Sequence, residues 1–440
     1  KEDLSEDVGE MLRTEVRERV SAALSDPEGG WKLLAHLEEI QSGINIEGAV
    51  YPSFTFRLMI DELKRRTGGE SIGWVELRGA LVDLAREALE AERSHLVKAI
   101  EQLLERAEES FKQQLQDRLD VVDNFFQTLE DRVEEAEGKI RAQELADELS
   151  ALARLQLRFN GEELRNLLEG GDQTRGVVRD HIEAELRNIA LYRVIAAIQR
   201  RVEDFDLRLT QLPSQEWDDI SNWILDEVER VLNERIDRLA GPEGQIKQDL
   251  EEYQIKQADT GTKIDLDQDQ ASLLALLSVM MQGTRLTFDR KTHQRGRERV
   301  IRLTYFYYAA GLLQESDPEE LTNQIIEHLE GASRISQLVL GRIDISRMGQ
   351  TATTIAQLDV SIQQKLRETL GEEKFSSLNE KPVQEFTPDE VSLVTNALGK
   401  RLQNEFYRDV ILGVISQLWV DYLTRVDSLR VSIGLEAYGQ

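Results

Sequence analysis

The chain has 440 residues, a mass of 50.3 kDa and a formal charge of 54 − 83 = −29. It has no cysteine, which excludes structural disulfides and Cys-ligated zinc or iron–sulfur centres. A pI of 4.7 argues against broad neutralisation of a nucleic-acid backbone, while 40% apolar residues are enough for a folded core.

No run reaches the roughly 18 apolar residues of a membrane span. The best candidates, Leu273–Met281 and Tyr305–Leu313, are far shorter. The opening KEDLSED does not resemble a signal peptide. The length leads to an expectation of two to four domains. A start at Lys1 and a stop at Gln440, just after an apolar helix-like stretch, lead to the expectation of a segment from a larger protein.

Low proline is the main architectural clue. None occurs between Pro52 and Pro213. An apolar stripe runs through Leu89, Leu96, Ile100, Leu103, Ala107, Phe111, Leu115, Leu119, Val122, Phe126, Leu129, Val133, Ala136 and Ile140. After the first step every interval is three or four residues, so the stripe lies on one helix face. Two readings stand: a single helix across residues 80–159, about 120 Å long, or a break near Gly138. A helix of that length calls for a partner, as a coiled coil or bundle arm. Self-association through residues 89–140 is therefore one expectation.

Asn160-Gly161 and Gly170-Gly171 bracket a short helix. The spacing predicts a helix over Thr174–Leu212, ended by Pro213-Ser214. It predicts another carrying Trp217, Ile220, Ile224, Val228, Val231 and Ile236, stopped by Gly241-Pro242. Gln257–Gln270 reads as a polar linker. Thr284–Phe288 and Arg299–Tyr308 are rich in β-branched and aromatic residues and predict a β-hairpin with a long loop. Helices return at Asp317-Pro318-Glu319-Glu320 and at Thr387-Pro388-Asp389-Glu390, both with N-cap chemistry and proline at the first helical position. The last helix runs through Val410, Val414, Leu418, Tyr422, Val426 and Leu429, toward Ile433. The fold class is mainly α: long helices and a helical bundle or coiled-coil arm, with a small β-hairpin near 284–308. The domain reading is 1–69, 70–260, 261–385 and 386–440.

Chemistry is sparse. There is no phosphate loop, and Gly261-Thr262-Lys263 lacks the spacing for one. His36, His95, His181, His293 and His328 are scattered without ligand-spaced partners. Asp265-x-Asp267-x-Asp269 begins like a calcium loop, but Gln270 and Leu276 replace the required glycine and glutamate. These residues therefore predict no catalytic site, no metal and no cofactor in this chain.

One segment opposes the overall charge. Arg285, Arg290, Lys291, Arg295, Arg297, Arg299 and Arg302 face only Asp289 and Glu298, a net of 7 − 2 = +5. With Phe288 and Tyr305–Tyr308 nearby it forms a basic, aromatic island. The leading reading is docking on acidic helices such as 101–150, which hold 15 acidic and 6 basic residues. Nucleic acid and anionic lipid are the less favoured alternatives.

The last 22 residues, WVDYLTRVDSLRVSIGLEAYGQ, place Trp419, Tyr422, Leu423, Val426, Leu429 and Ile433 on one helix face. Asp427 and Arg430 stand three apart and can pair. Gly434 and Gly439 are expected to loosen the helix around Leu435 and Tyr438. This text resembles the SecA preprotein translocase family, in the segment leading into its two-helix finger. The family pattern reads W-x-x-H-L-x-x-M-D-x-L-R-x-G-I-x-L-R-x-Y-x-Q. The chain matches it at Trp419, Leu423, Asp427, Leu429, Arg430, Ile433, Leu435, Tyr438 and Gln440. It departs from it at Tyr422, Val426, Ser432 and Glu436. Glu2–Val8 is similar to text following the family's long scaffold helix.

The resemblance implies a scaffold, wing and finger region without the motor domains. It implies ATP and magnesium bound upstream in the parent, and a cytoplasmic, peripherally membrane-associated location. The implied partners are the motor domains of the same parent, an unfolded preprotein and a membrane channel. It implies packing and coupling roles for Trp419, Leu423, Asp427, Leu429, Arg430 and Ile433, and polypeptide or channel contact for Leu435 and Tyr438. It implies an expanded wing around residues 70–260.

Overall fold

The computed structural model describes all residues except 1–3, 27, 45–50, 69–71, 136–140, 169–170, 213, 215, 258–263, 267–269, 290–293, 351–353 and 439–440. In chain order the first helices are α1 (Leu4–Ser25), α2 (Gly29–Ile44), α3 (Phe54–Thr67) and α4 (Trp74–Glu135). Next come α5 (Ala142–Ala153), α6 (Gly161–Asn166), α7 (Asp172–Gln199), α8 (Trp217–Ala240), α9 (Gln245–Gln257) and α10 (Gln270–Met281). Strands β1 (Gln282–Asp289) and β2 (Gln294–Ile301) follow. The chain continues with α11 (Phe306–Gln314), α12 (Pro318–Gln350), α13 (Val360–Leu370), α14 (Glu372–Leu378) and α15 (Pro388–Tyr438). The fold is mainly α with one small hairpin.

The chain divides into two compact units. One comprises residues 1–72, 264–278 and 305–440; the other comprises 73–263 and 279–304.

The second unit is organised by α4, about 93 Å long at 1.5 Å per residue. Its stripe is covered within this chain as far as Leu129. Ile100, Leu104, Phe111, Val122, Phe126 and Leu129 pack with Val178, Ile182 and Leu186 of α7 and with Ile220, Ile224 and Val228 of α8. Phe111 stacks on Trp217 with ring centroids 5.5 Å apart. Burying one such side chain is worth roughly 1.5–3 kcal/mol, so this seam outweighs the surface ion pairs around it. The next helix starts only at Ala142, and Arg141 before it has extended backbone, so residues 80–159 do not form one continuous helix. Gly138 lies outside the described residues.

Two helix limits differ from the spacing. α7 stops at Gln199 rather than Leu212. Asp204 then takes a left-handed backbone (φ 67°), and Val202, Phe205 and Leu207 enter the core from irregular chain. Their burial outweighs helix propensity there, and no glycine or proline announces it. The linker reading of Gln257–Gln270 also needs correction. Ile264 pairs with Ile72, Leu266 is fully buried, and α10 already begins at Gln270.

The hairpin is shifted from its predicted place. β2 occupies the polar run from Gln294, and Asp289 pairs with Gln294, so four residues connect the strands rather than a long loop. Tyr305–Tyr308 are not strand. Phe306, Tyr307 and Tyr308 open α11, and the buried Tyr305 hydroxyl donates to the Leu277 carbonyl at 2.9 Å.

In the first unit α12 crosses α15 at close range. Gly341 on α12 lies against the carbonyl of Thr395, and Gly399 on α15 lies against the carbonyl of Gln337. A Cβ at either glycine would overlap that oxygen, so the two backbones approach as only glycine permits. Val394, Ala397 and Leu398 of α15 pack with Ile345, Met348, Leu366 and Phe375 in one apolar cluster.

Candidate functional site

The C-terminal helix is rooted at one end and exposed over the described side chains beyond it. Its start is fixed by a capping box. Thr387 N–H donates to the Glu390 carboxylate at 2.7 Å, and Glu390 N–H donates to Thr387 Oγ1 at 3.3 Å. Lys381, 2.6 Å from the same carboxylate, holds it below the usual glutamate range. Arg401 pairs with Asp344 of α12 at 3.2 Å and with Glu405 at 3.1 Å. Gln403 donates to Ser333 Oγ at 2.7 Å. This half of α15 is locked to α12.

Beyond it, every described side chain from Arg408 to Val426 is exposed except the half-buried Ile411. Ten of these are large and apolar: Val410, Leu412, Val414, Ile415, Leu418, Trp419, Val420, Tyr422, Leu423 and Val426. Trp419 is 59% exposed and stacks on Tyr422 at 5.6 Å. A helix this apolar on all sides normally has neighbours. Trp419 and Leu423, expected as packing positions, are exposed among the described residues.

Asp427, Leu429, Arg430, Ile433, Leu435 and Tyr438 are helical positions of α15; their side chains lie outside the described residues. The expected loosening at Gly434 does not occur, because the helix runs through it to Tyr438. One interior glycine costs about 1 kcal/mol, too little to end a long helix. Gly439 lies outside the described residues.

The basic island is divided by the structure. Arg290 and Lys291 lie outside the described residues, as do the side chains of Arg295 and Arg297. Arg299 is exposed. Arg302 is not part of a surface patch and the reading of it as one is corrected. It is 8% exposed, pairs with Asp249 at 2.6 Å and donates from Nε to the Met280 carbonyl and from Nη2 to the Val279 carbonyl. Its own carbonyl accepts from Arg235 at 2.9 Å. Arg235 also pairs with Glu92, whose carboxyl burial pushes up against the pull of that arginine. No sequence signal separates this buried arginine from its exposed neighbours, because charge composition is blind to burial.

Other chemistry is thin. Among the described residues no group of His, Asp or Glu is placed to hold a metal. The Asp265 region falls partly outside them. His328 is buried, with Nε2 2.9 Å from Gln41 Oε1 and its ring against Tyr51 and Phe54. Burial pushes its pKa down to about 4. His181 sits 3.5 Å from Glu163 and against Phe159. A groove of about 200 Å³ between α4 and α7 has an apolar floor of Phe111, Leu186 and Val194, with Arg106 and Arg193 among its lining residues. No helix among the described residues is long and apolar enough to cross a membrane.

Comparison with known proteins bears on the whole chain. Residues 1–440 match the family described as SecA Wing and Scaffold domain. The protein translocase subunit SecA of Chloroflexus aggregans (strain MD-66 / DSM 9485) is 29% identical over 126 residues, 28% of this chain and 11% of that protein. The aligned stretch thus spans about a tenth of that relative's length. No solved structure matches. Mainly helical architecture, the C-terminal motif and the full-length family match agree, and the chain belongs to the SecA wing and scaffold domain family.

Proposed function

We propose that this chain is the scaffold, wing and finger portion of a protein translocase and that it passes nucleotide-driven motion to a moving polypeptide. The observation that carries this reading is the division of α15 into a locked half and a bare apolar half. Residues 410–426 carry the surface that motor domains of the same parent would cover, and these motors would hold ATP and magnesium. Trp419 and Leu423 would seat the helix there. Asp427, Leu429, Arg430 and Ile433 would couple it to its neighbours. Leu435 and Tyr438, at the far end of the same helix, would meet the unfolded preprotein and the membrane channel. On this reading the parent works peripherally on the cytoplasmic side of a membrane.

The covered stripe of α4 favours a wing arm folded on its own chain over a coiled-coil adaptor that dimerises through residues 89–140. The test is made in the full-length parent. Tyr438→Ala should weaken preprotein translocation at least tenfold and change ATP hydrolysis less than twofold. Equal loss of both activities sinks the finger role. Dimerisation of this chain that is lost on Leu96→Asp, with the fold intact, favours the adaptor.

A further inference from the structure

We propose that the groove between α4 and α7 seats an acidic amphipathic helix of a partner protein. The groove lies wholly within the unit of residues 73–263 and 279–304. Its α4 wall uses positions 103, 106, 107, 110, 111 and 114, and its α7 wall uses 186, 189, 190, 193 and 194. On both helices this is the i, i+3, i+4, i+7, i+8 pattern of a single stripe. Two such stripes side by side make the seat of a third helix, whose side chains enter between their ridges. The floor is the buried Phe111, Leu186 and Val194. Ala107 and Ala190, one on each wall, are small, which leaves a space of about 200 Å³. The α4 wall spans 114 − 103 = 11 residues, about 17 Å or three turns of helix.

Charge selects the occupant. Arg106 stands on one wall and Arg193 on the other, both exposed, and neither has a hydrogen bond or ion pair among the described residues. Nearby arginines are paired: Arg179 with Asp123 at 2.7 Å and Arg187 with Glu183 at 3.4 Å. No carboxylate lines the groove, although the same stretch of α4 carries Glu101, Glu105, Glu108 and Glu109. A chain of net charge −29 thus keeps a locally positive trough. Gln114 donates to Ser110 Oγ at 2.9 Å, so these two polar groups of the α4 wall satisfy each other. Apolar surface continues outward along α7, where Ile189 is 37% exposed and Tyr192 is 68% exposed.

The ligand that fits is a helix with an apolar stripe flanked by glutamate or aspartate. Its stripe fills the trough, and its flanking acids reach one arginine on each wall. A second copy of this chain does not fit. A two-fold contact sets the same patch against itself, so Arg106 and Arg193 would face arginines. A basic helix would meet both arginines with like charge. Helix against helix also accounts for the spacing on both walls, which an extended polypeptide with its period of two does not match.

The test uses this 440-residue chain alone, so its result is independent of the translocase reading. The probe is a fluorescein-labelled helical peptide of about 15 residues, roughly four turns. It carries leucine at every third or fourth position and glutamate on both sides of that stripe. Binding is read by fluorescence anisotropy at about 0.1 M salt, where a Debye length of about 10 Å screens the distant acids. The peptide should bind about tenfold tighter than its twin with lysine for glutamate. It should also bind about tenfold tighter than a proline-interrupted copy that cannot form the helix. Arg106→Gln with Arg193→Gln should weaken binding about five- to tenfold. Ala190→Glu, which puts a carboxylate into the trough, should weaken it more than that pair does. Arg201→Gln, at an exposed arginine beyond the end of α7, should change it less than twofold. Unchanged circular dichroism and melting temperature show that each variant is folded. No binding of the glutamate peptide, equal binding of either control peptide, unchanged binding by the double arginine variant, or an equal loss with Arg201→Gln overturns the proposal. So does a dimer of this chain in sedimentation that Ala190→Glu dissolves, since a second copy would then fill the groove.

Discussion

Replacing Gly399 by alanine puts a methyl group where the Gln337 carbonyl oxygen sits, and Gly341→Ala does the same against Thr395. Neither obstacle is a flexible side-chain tip; both are backbone of the facing helix. Relief requires α12 and α15 to separate, which loosens the cluster of Val394, Leu398, Ile345 and Met348 packed at this crossing. Overpacking of this kind costs about 1–3 kcal/mol per substitution. For a unit of this size that is a fall in melting temperature of about 2–12 °C. One outward shift of α15 admits both methyl groups. The double variant should therefore cost less than the sum of the single variants by at least about 0.5 kcal/mol. Gly413→Ala is the control, since Gly413 is exposed on the same helix with open space around it. It should stabilise by about 0.5–1 kcal/mol through helix propensity. Scanning calorimetry of the four proteins gives the comparison, with hydrogen exchange along α12 locating the change. Single variants as stable as the parent, or strict additivity in the double variant, would refute the glycine-contact account.

Three other outcomes follow from the same geometry. His328 has a folded pKa of about 4 against an ordinary value of 6.5, because burial disfavours its charged form. The unfolded chain binds the proton first, so stability is full above pH 6.5 and falls as pH drops toward about 4, by up to about 3 kcal/mol. Urea titrations across this range should show that slope in the native protein and a flatter one in His328→Gln. Trp217→Ala removes the ring stacked on Phe111 and should cost about 3–5 kcal/mol, seen as loss of urea resistance; a cost below 1 kcal/mol would show that the α4–α8 seam does not depend on it. Trp419→Asp with Leu423→Asp should leave the melting temperature of this chain within about 1 °C, because both residues are exposed, and should slow its aggregation. A large destabilisation would mean that the distal half of α15 is packed in solution.

Much of the site was legible because it depends on local rules. The capping box at Thr387 and Glu390, the 3–4 spacing of the α4 stripe and the glycine stop after α8 each involve residues a few positions apart. The finger-like motif was legible as text, from Trp419 to Gln440. What was not legible depends on distant partners. Nothing near residue 200 signals that α7 ends there, since the cause is the burial of Val202, Phe205 and Leu207. Arg302 reads like Arg299 in composition, yet one is held by Asp249 and main-chain carbonyls while the other is exposed. The aromatic run at 305–308 has strand propensity, but the core takes Tyr305 and starts a helix after it.

Helical content, acidity, freedom from cysteine and long amphipathic segments are all legible in the amino-acid order, because periodicity and composition are properties of the chain. Its C-terminal motif placed it beside the SecA family. Which apolar faces find a partner depends on the folded chain. The described α4 stripe is covered by α7 and α8, while the described side chains of α15 from Val410 to Val426 stay exposed, save the half-buried Ile411. Both look alike as hydrophobic spacing, because a pattern specifies that a face seeks burial and only the folded chain supplies, or withholds, the partner. The net charge of −29 is a matter of counting, whereas the burial of Arg302 within it is decided by the fold.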